Sequence, residues 1–360
     1  MTPGATTHSA RTPFASTGSI WVPEGGLDTS VSLSNTSLKK KNIRSTDCSP
    51  HWYGDPYCDL GSTPRASPVA EVFEHVSRAS ANRRVDMDRD SRIVHEMTNV
   101  FDTLWTDTAD ESAALFDVLD QIDSPGWNIA TGCEPWTVAD QISHLAWNDD
   151  ATVRALTRPD AFIASRPTTP AGIQAMVDAV IVDHHTMDGA TLLAWFRSAR
   201  GSMLQAFRNA EPKARMPWYG PDMSVTSKLT ARFMETWAHG WDVIDALGRT
   251  YIATDRLRHV VFLGLQALPN AFTTHGRPVP TDAVRVDVLL PSGTRFAVGP
   301  PDAQNTVEGS GFELAMVVTQ RRNVADTSLR AVGGVAHEWL AVAQAFAGPA
   351  GSKRPSHGDP

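Results

Sequence analysis

Two segments of the chain combine histidine and carboxylate residues at a spacing that suits a metal ion. Glu235 lies four positions before His239, slightly more than one helical turn, so on a helix both side chains project from one face. Asp242 follows three positions later and extends that face, and His144 offers a second imidazole from an earlier segment. Two imidazoles and one carboxylate would leave a coordination position open, as catalytic zinc sites usually do.

The same pattern also has an explanation without a ligand. The helical stripe that carries this carboxylate–histidine pair also carries Lys228 and Arg232, and apolar residues cover the opposite side of the helix. This distribution is typical of an amphipathic helix whose polar face contacts water. Spacing alone therefore favours a solvated face, and a metal site needs further support.

The elements that position these residues are predicted to be helices. Apolar residues recur at i, i+3 and i+4 from Ile93 onward, which is the period of an amphipathic helix. Thr137 followed by Asp140 is typical of a capping box at the start of a second helix, and Gly248 suits the left-handed end of a fourth. With a break near Asp188-Gly189 in the third, four helices are predicted over about residues 93–123, 137–157, 170–209 and 224–248.

After Tyr251 the pattern changes to that of a small α+β domain. Alternating apolar and polar residues from Val284 to Val288 predict a strand, and Arg295 to Val298 predicts a second one. Phe312 to Thr319 is predicted as a third strand, and Val335 to Phe346 as a closing helix.

The predicted fold class is therefore α+β: a four-helix bundle followed by a small α+β domain and preceded by a disordered tail. The first 85 residues are rich in Ser, Thr, Pro and Gly and lack sustained periodicity, so they cannot bury enough apolar surface to offset their conformational entropy. The predicted divisions are a low-complexity tail at 1–85, a metal-binding bundle at 90–249, an α+β domain at 250–349 and a second disordered tail at 350–360.

Composition argues against several classes of function. The formal net charge is −8, which disfavours a nucleic-acid partner because phosphate binding needs a basic surface. No run of eighteen apolar residues occurs, so no membrane span is expected. The three cysteines, Cys48, Cys58 and Cys133, form no metal-binding CxxC pair. We expect a protein of the reducing cytoplasm that acts on a small molecule.

The sequence around the candidate ligands resembles a known group of metal proteins. The segments Trp136-Thr-Val-Ala-Asp-Gln-Ile-Ser-His144-Leu-Ala-Trp147 and Glu235-Thr-Trp-Ala-His239-Gly-Trp-Asp242 are similar to the DinB-like superfamily, and most similar within it to the mycothiol-dependent maleylpyruvate isomerases of actinobacteria. That group binds zinc through a histidine of the first segment and through a Glu-x-x-x-His pair. The resemblance covers about residues 93–349. It implies a DinB-like helical bundle and zinc ligation by His144, Glu235 and His239.

The resemblance extends to an arginine near the C-terminus. Gly309 to Arg321 is similar to a segment that ends in a functional arginine in the isomerases, although this chain reads Gln-Arg-Arg where they read Gly-Arg. The resemblance implies that Arg321 steadies an anionic substrate by a bidentate contact. If the resemblance is set aside, an arginine of such a pair at a strand end is more often a surface cation. The segment from Trp339 to Gly348 is closer to an uncharacterised actinobacterial branch, so the substrate need not be maleylpyruvate.

Three functions remain open from the sequence. The first is a metal-dependent isomerase or S-transferase that uses mycothiol or a similar thiol as cosubstrate, because a cation lowers the pKa of a bound thiol and yields the nucleophilic thiolate at neutral pH. This hypothesis is consistent with the absence of a cysteine from the motifs. The second is a metal-dependent hydrolase that activates water, with Asp242 as the base. The third is a non-catalytic module that binds a metal and senses an apolar ligand.

Overall fold

A computed structural model describes the backbone of residues 87–351 and 355–356, and the side chains within those ranges from Val100 onward. The predicted tail at residues 1–85 lies outside the described residues, as does most of the predicted tail at 350–360. The described part is α+β, with helices first and a small sheet towards the C-terminus. No helix within it is long and apolar enough to cross a membrane.

The helices of the first part are named α1 to α6 in chain order. Their bounds are Met87–Leu119, Val138–Thr157, Pro159–Ser165, Pro170–His184, Gly189–Arg208 and Val225–Ala246. A hairpin of β1 (Arg215–Met216) and β2 (Met223–Ser224) connects α5 to α6. The predicted third helix is divided into α4 and α5 at Asp188, which caps α5 by accepting a hydrogen bond from the Thr191 backbone N–H at 3.0 Å.

Local capping chemistry sets the ends of the two helices that carry the candidate ligands. The Thr137 hydroxyl accepts a hydrogen bond from the Asp140 backbone N–H at 3.3 Å, and the Asp140 carboxylate accepts one from the Thr137 N–H at 2.8 Å. The predicted capping box of α2 is therefore confirmed. Ser224 caps α6 by accepting a hydrogen bond from the Ser227 backbone N–H at 3.0 Å. Gly248 follows α6 at a φ of +62°, in the left-handed region that glycine adopts without a Cβ clash.

The C-terminal part packs helices against a four-stranded sheet. Its elements are α7 (Arg258–Gln266), α8 (Leu268–Thr274), β3 (Val284–Leu289), β4 (Arg295–Val298), β5 (Asn305–Ser310), α9 (Gly311–Val318), β6 (Arg330–Val332) and α10 (Gly334–Val342). The strand order is β4-β3-β5-β6, with β3 and β5 parallel and the two outer pairs antiparallel. In the centre of the sheet, Val286 of β3 is in register with Val307 of β5.

The predicted strand from Phe312 to Thr319 is wrong, because this segment forms α9. Ser310 caps the helix by accepting a hydrogen bond from the Glu313 backbone N–H at 3.4 Å. The last five residues of α9 are all buried, and a short uninterrupted apolar run does not distinguish a buried strand from a buried helix. Val318 packs so closely on Gly264 of α7 that an added Cβ would lie 2.7 Å from it. The crossing of these two helices therefore requires glycine.

One hydrophobic core connects the bundle to the sheet. It contains Phe233 and Trp237 of α6 together with Val286 of β3 and Trp339 of α10, each at most 1% exposed. This core holds α6, which carries the Glu-x-x-x-His pair, against the C-terminal elements that lead to Arg321.

A buried ionic network ties α2, α5 and α6 together. Asp149 of α2 is fully buried and accepts hydrogen bonds from Nε of Arg200 at 2.7 Å and from Nη2 of Arg232 at 2.9 Å. Both guanidinium-bearing side chains are only 1% exposed. Asp149 lies five positions after His144, and Arg232 three positions before Glu235. The network therefore fixes the two helices that carry the candidate ligands relative to each other.

Candidate metal centre

The three predicted metal ligands converge where α2 meets α6. The Nε2 atoms of His144 and His239 lie 3.5 and 3.0 Å from the same carboxylate oxygen, Oε2 of Glu235. The three ligand atoms all lie within 4.8 Å of one another, and within the described residues this is the one such group of three or more His, Cys, Asp or Glu side chains. The exposed fractions of the three side chains are 13, 12 and 24%, so the centre is shielded but reachable from solvent.

The donor set fits a divalent ion such as zinc. Bonds of about 2.0–2.2 Å to imidazole nitrogen and carboxylate oxygen at tetrahedral angles place neighbouring ligand atoms roughly 3.4 Å apart, close to the 3.5 and 3.0 Å found here. Nδ1 of His239 contacts the side-chain oxygen of Gln141 and so carries a proton, while Nε2 faces the carboxylate. A positive centre, either a proton or a metal ion, is therefore needed between that nitrogen and Glu235.

Burial and hydrogen bonding set the charges of the ligands. Burial lowers the pKa of His144 to about 4, against the opposing effect of its hydrogen bond with Glu235, so this imidazole is neutral at neutral pH. Burial alone would raise the pKa of the Glu235 carboxyl, but hydrogen bonds with both histidines outweigh it and hold that pKa well below its usual value. The centre therefore presents a carboxylate and a neutral imidazole, which are the forms that bind a divalent cation.

The polar stripe of α6 is buried, so its interpretation as a solvated face is wrong. Lys228, Arg232 and Asp242 are only 4, 1 and 0% exposed. Arg232 is paired within the ionic network, and Nζ of Lys228 lies 2.9 Å from the ring centroid of Trp218. The amphipathic pattern misleads here because the polar stripe finds its partners in other elements of the fold rather than in water.

The two predicted catalytic residues pair with each other beside the candidate metal ligands. Arg321 donates to Asp242 from Nη2 to Oδ2 at 2.6 Å and from Nε to Oδ1 at 3.3 Å, and its Nη1 donates to the Thr319 carbonyl at 2.8 Å. Oδ2 of Asp242 lies 3.9 Å from Nδ1 of His239. The Arg321 side chain is 9% exposed, so it is not a surface cation. Burial would lower the pKa of Arg321, but the charge of Asp242 outweighs it and raises that pKa.

A cysteine that the sequence interpretation left aside lies next to this ion pair. Sγ of Cys133 donates to Oδ2 of Asp242 at 3.3 Å, and the Cys133 backbone N–H donates to Oγ1 of Thr131 at 3.3 Å. The available sequence signal was the position of Cys133 three residues before Trp136, at the start of the resembling segment. A protein thiol therefore belongs to the surroundings of the centre, and the motif region does contain a cysteine.

Trp136, in the loop before α2, contacts both candidate histidine ligands. Its ring centroid lies 5.1 Å from that of His144 and 5.9 Å from that of His239, the latter pair stacked at an interplanar angle of 23°. An aromatic cover of this kind keeps water away from the ligands, and electrostatic interactions strengthen as water is excluded.

Comparison with known proteins assigns the chain to a family. The family described as "Mycothiol maleylpyruvate isomerase N-terminal domain" matches residues 108–244, a range that contains all three candidate metal ligands. Two uncharacterized proteins of Mycobacterium tuberculosis, MT0041 and Rv0036c, are each 36% identical to this chain over 244 residues, which is 68% of this chain and 95% of theirs. The chain belongs to the mycothiol maleylpyruvate isomerase N-terminal domain family. The family resemblance inferred from the sequence is thereby confirmed.

The chain is also similar to two solved structures. Two crystal structures of a mycothiol-dependent maleylpyruvate isomerase, one of them of a mutant, share 17% sequence identity with it at a TM-score of 0.44. The similarity covers 64% of this chain and 92% of theirs. Membership of the mycothiol maleylpyruvate isomerase N-terminal domain family rests on the sequence matches.

Proposed function

We propose that this chain is a metal-dependent isomerase or S-transferase that uses mycothiol, or a similar low-molecular-weight thiol, on a small anionic or electrophilic substrate. The observation that carries the proposal is the convergence of two imidazole nitrogens on one carboxylate oxygen inside the range that matches the family. His144, Glu235 and His239 would hold the ion, for which we propose zinc, and three protein ligands would leave one position open.

The residues around the ligands would prepare the site for a thiol and an anion. A divalent cation held here would lower the pKa of a bound thiol, so that the thiolate is present at neutral pH. The hydrogen bonds of Arg321 to Asp242 and Thr319 use three of its five N–H donors. The other two, one on each Nη atom, would steady an anionic group of the substrate, while Asp242 holds the plane of the guanidinium group.

The hydrolase alternative would require Asp242 to act as a general base. Both oxygens of this fully buried carboxylate accept hydrogen bonds from Arg321, and Oδ2 also accepts one from Cys133. A general base must be within hydrogen-bond reach of the proton that it removes. We therefore propose that Asp242 positions Arg321, and the geometry favours the thiol-dependent reaction over hydrolysis.

Metal content and thiol binding of the purified full-length protein test the proposal. We expect stoichiometric zinc, and calorimetric titration with mycothiol should show binding with release of a proton, because the thiol enters as its thiolate. His239→Ala should lose both zinc and thiol binding. His184→Ala is a matched control, because His184 lies at the end of α4 and outside the ligand group, and should keep both. Equal mycothiol binding by zinc-loaded and zinc-free protein would contradict the proposal.

A second measurement separates the two reaction classes. We expect turnover of a small electrophilic substrate, such as an α,β-unsaturated carboxylic acid, to require added thiol. Turnover of an ester or amide that proceeds at the same rate without thiol would instead identify a hydrolase.

A further inference from the structure

A buried glutamine lies behind one of the two histidine ligands. Gln141 of α2 is 0% exposed, and its Oε1 contacts Nδ1 of His239, the ring nitrogen on the far side from Glu235. Its Nε2 donates to Oγ1 of Thr131 at 2.9 Å. Gln141 therefore spans from the loop before α2 to the ligand-bearing face of α6.

The hydrogen bonds around Thr131 determine which way the Gln141 amide points. The Thr131 hydroxyl donates to the Trp136 carbonyl at 2.8 Å, so its single proton is already used. Its oxygen can then only accept from Gln141, which places the amide nitrogen towards Thr131 and the amide oxygen towards His239. An amide oxygen is an acceptor only, so Nδ1 of His239 must carry a proton.

We propose that Gln141 is the positioning residue that makes His239 a preorganised metal ligand. By accepting from Nδ1–H it keeps the ring in the orientation in which Nε2 lies 3.0 Å from Oε2 of Glu235, with the Nε2 lone pair available to the ion. Metal-binding histidines usually donate their second ring N–H to such an outer partner, which fixes the tautomer and raises the basicity of the ligand. This inference rests on the proposed metal site, and it adds Thr131 and Gln141 to the residues that build it.

The other histidine ligand provides an internal contrast. Nδ1 of His144 is buried and has no hydrogen-bond partner among the described residues. An outer partner at Nδ1 therefore orients His239, whereas His144 has no such partner at Nδ1 and is oriented by packing against Trp136 and by the contacts of its Nε2 with Glu235 and with Nδ2 of Asn148 at 3.1 Å. Loss of the Gln141 contact should consequently affect metal binding through one ligand only.

Zinc affinity of four variants, measured by chelator competition, tests the proposal. Gln141→Leu removes the acceptor and should weaken zinc binding by roughly 10- to 100-fold, the usual cost of losing an outer partner. Gln141→Glu keeps an acceptor for Nδ1–H, and its affinity should stay near that of wild type. Thr131→Val leaves Gln141 in place but removes the hydrogen bond that orients the Gln141 amide group. The zinc affinity of this variant should therefore lie between those of the two Gln141 variants. Gln344→Leu removes another fully buried amide, whose hydrogen bonds are to the C-terminal segment and to Gln320 and not to any candidate metal ligand, and should leave zinc affinity unchanged.

Solvent exchange of the His239 Nδ1 proton distinguishes the proposed positioning role of Gln141 from a purely structural one. In zinc-loaded wild type, the NMR signal of the His239 Nδ1 proton should be protected from solvent exchange. It should remain protected in Gln141→Glu and exchange rapidly in Gln141→Leu. Tight zinc binding by wild type together with unchanged affinity and protection in Gln141→Leu would overturn this inference alone. Absence of zinc binding by wild type would instead overturn the proposed metal site.

Discussion

The buried ionic network offers the sharpest test of how the fold holds the ligand-bearing helices together. The change is Asp149→Asn, which keeps the size of the side chain but removes the negative charge that two guanidinium groups share. Arg200 and Arg232 would then remain 1% exposed without a counter-charge. Breaking a buried pair in this way leaves an uncompensated charge in a medium of low dielectric constant.

The expected magnitude follows from the burial of the network. Loss of one partner of a buried ion pair costs roughly 3–5 kcal/mol of unfolding free energy, a large share of the roughly 5–15 kcal/mol that stabilises a typical domain. Asp120→Asn is the matched control, because Asp120 pairs with Arg197 at 2.6 Å but both side chains are 43% or more exposed. An exposed pair of this kind contributes about 0.2–1 kcal/mol.

Denaturation with guanidinium chloride, followed by tryptophan fluorescence, gives the free energy of unfolding of both variants by linear extrapolation. The apolar triple variant Asp149→Leu/Arg200→Met/Arg232→Met should recover most of the stability, because well-packed apolar residues can replace a buried ionic cluster. A loss of less than about 1 kcal/mol for Asp149→Asn, similar to the exposed control, would refute the reasoning that this network fixes the helices.

Three further predictions follow from the site. Alanine at any one of the three proposed ligands should cut zinc affinity steeply while His184→Ala and His185→Ala bind zinc as wild type does; the opposite result for His184 would show that the wrong histidines were chosen. Arg321→Ala should leave mycothiol binding unchanged but raise the KM for an anionic substrate. An equal rise in the KM for a neutral electrophile would contradict the anion-binding role. Lys228→Met should raise the denaturation midpoint at neutral pH, because burial holds the pKa of Lys228 well below its usual value and so disfavours the charged form in the folded chain. The gain should shrink as pH rises towards the lysine pKa of the unfolded chain, about 10.4, and a lower midpoint at neutral pH would show that the contact with Trp218 outweighs the cost of burial.

The elements carrying the site could be predicted from the sequence because their signals are local. The capping box at Thr137 and the left-handed Gly248 each depend on residues within one turn of the chain. The strand prediction for the α9 segment was wrong because an apolar run of that length has no distinctive period. Strand β5 was missed because its sequence, Asn305-Thr-Val-Glu-Gly-Ser310, is mostly polar, and it is identified only by its pairing with β3 and β6.

The site itself was predicted only in part, because spacing reports neighbours on one helix and not contacts between helices. The Glu235 and His239 pair follows from helical geometry, whereas the proximity of His144 came from the family resemblance. The partners Gln141–His239 and Cys133–Asp242 are 98 and 109 positions apart, and no local pattern links them. The burial of the polar stripe likewise depends on residues of other elements. Amphipathic periodicity therefore predicted a stripe in contact with water, whereas the stripe is buried.

The electronic spectrum of the cobalt-substituted protein during titration with mycothiol tests the central claim most directly. We expect a charge-transfer band in the near ultraviolet that grows to saturation as the thiolate binds the ion, and that is absent when the S-methylated thiol replaces mycothiol. Glu235→Gln should lose cobalt and the band together, whereas His184→Ala should keep both. A cobalt spectrum that millimolar mycothiol leaves unchanged would contradict a thiol-dependent function for this site.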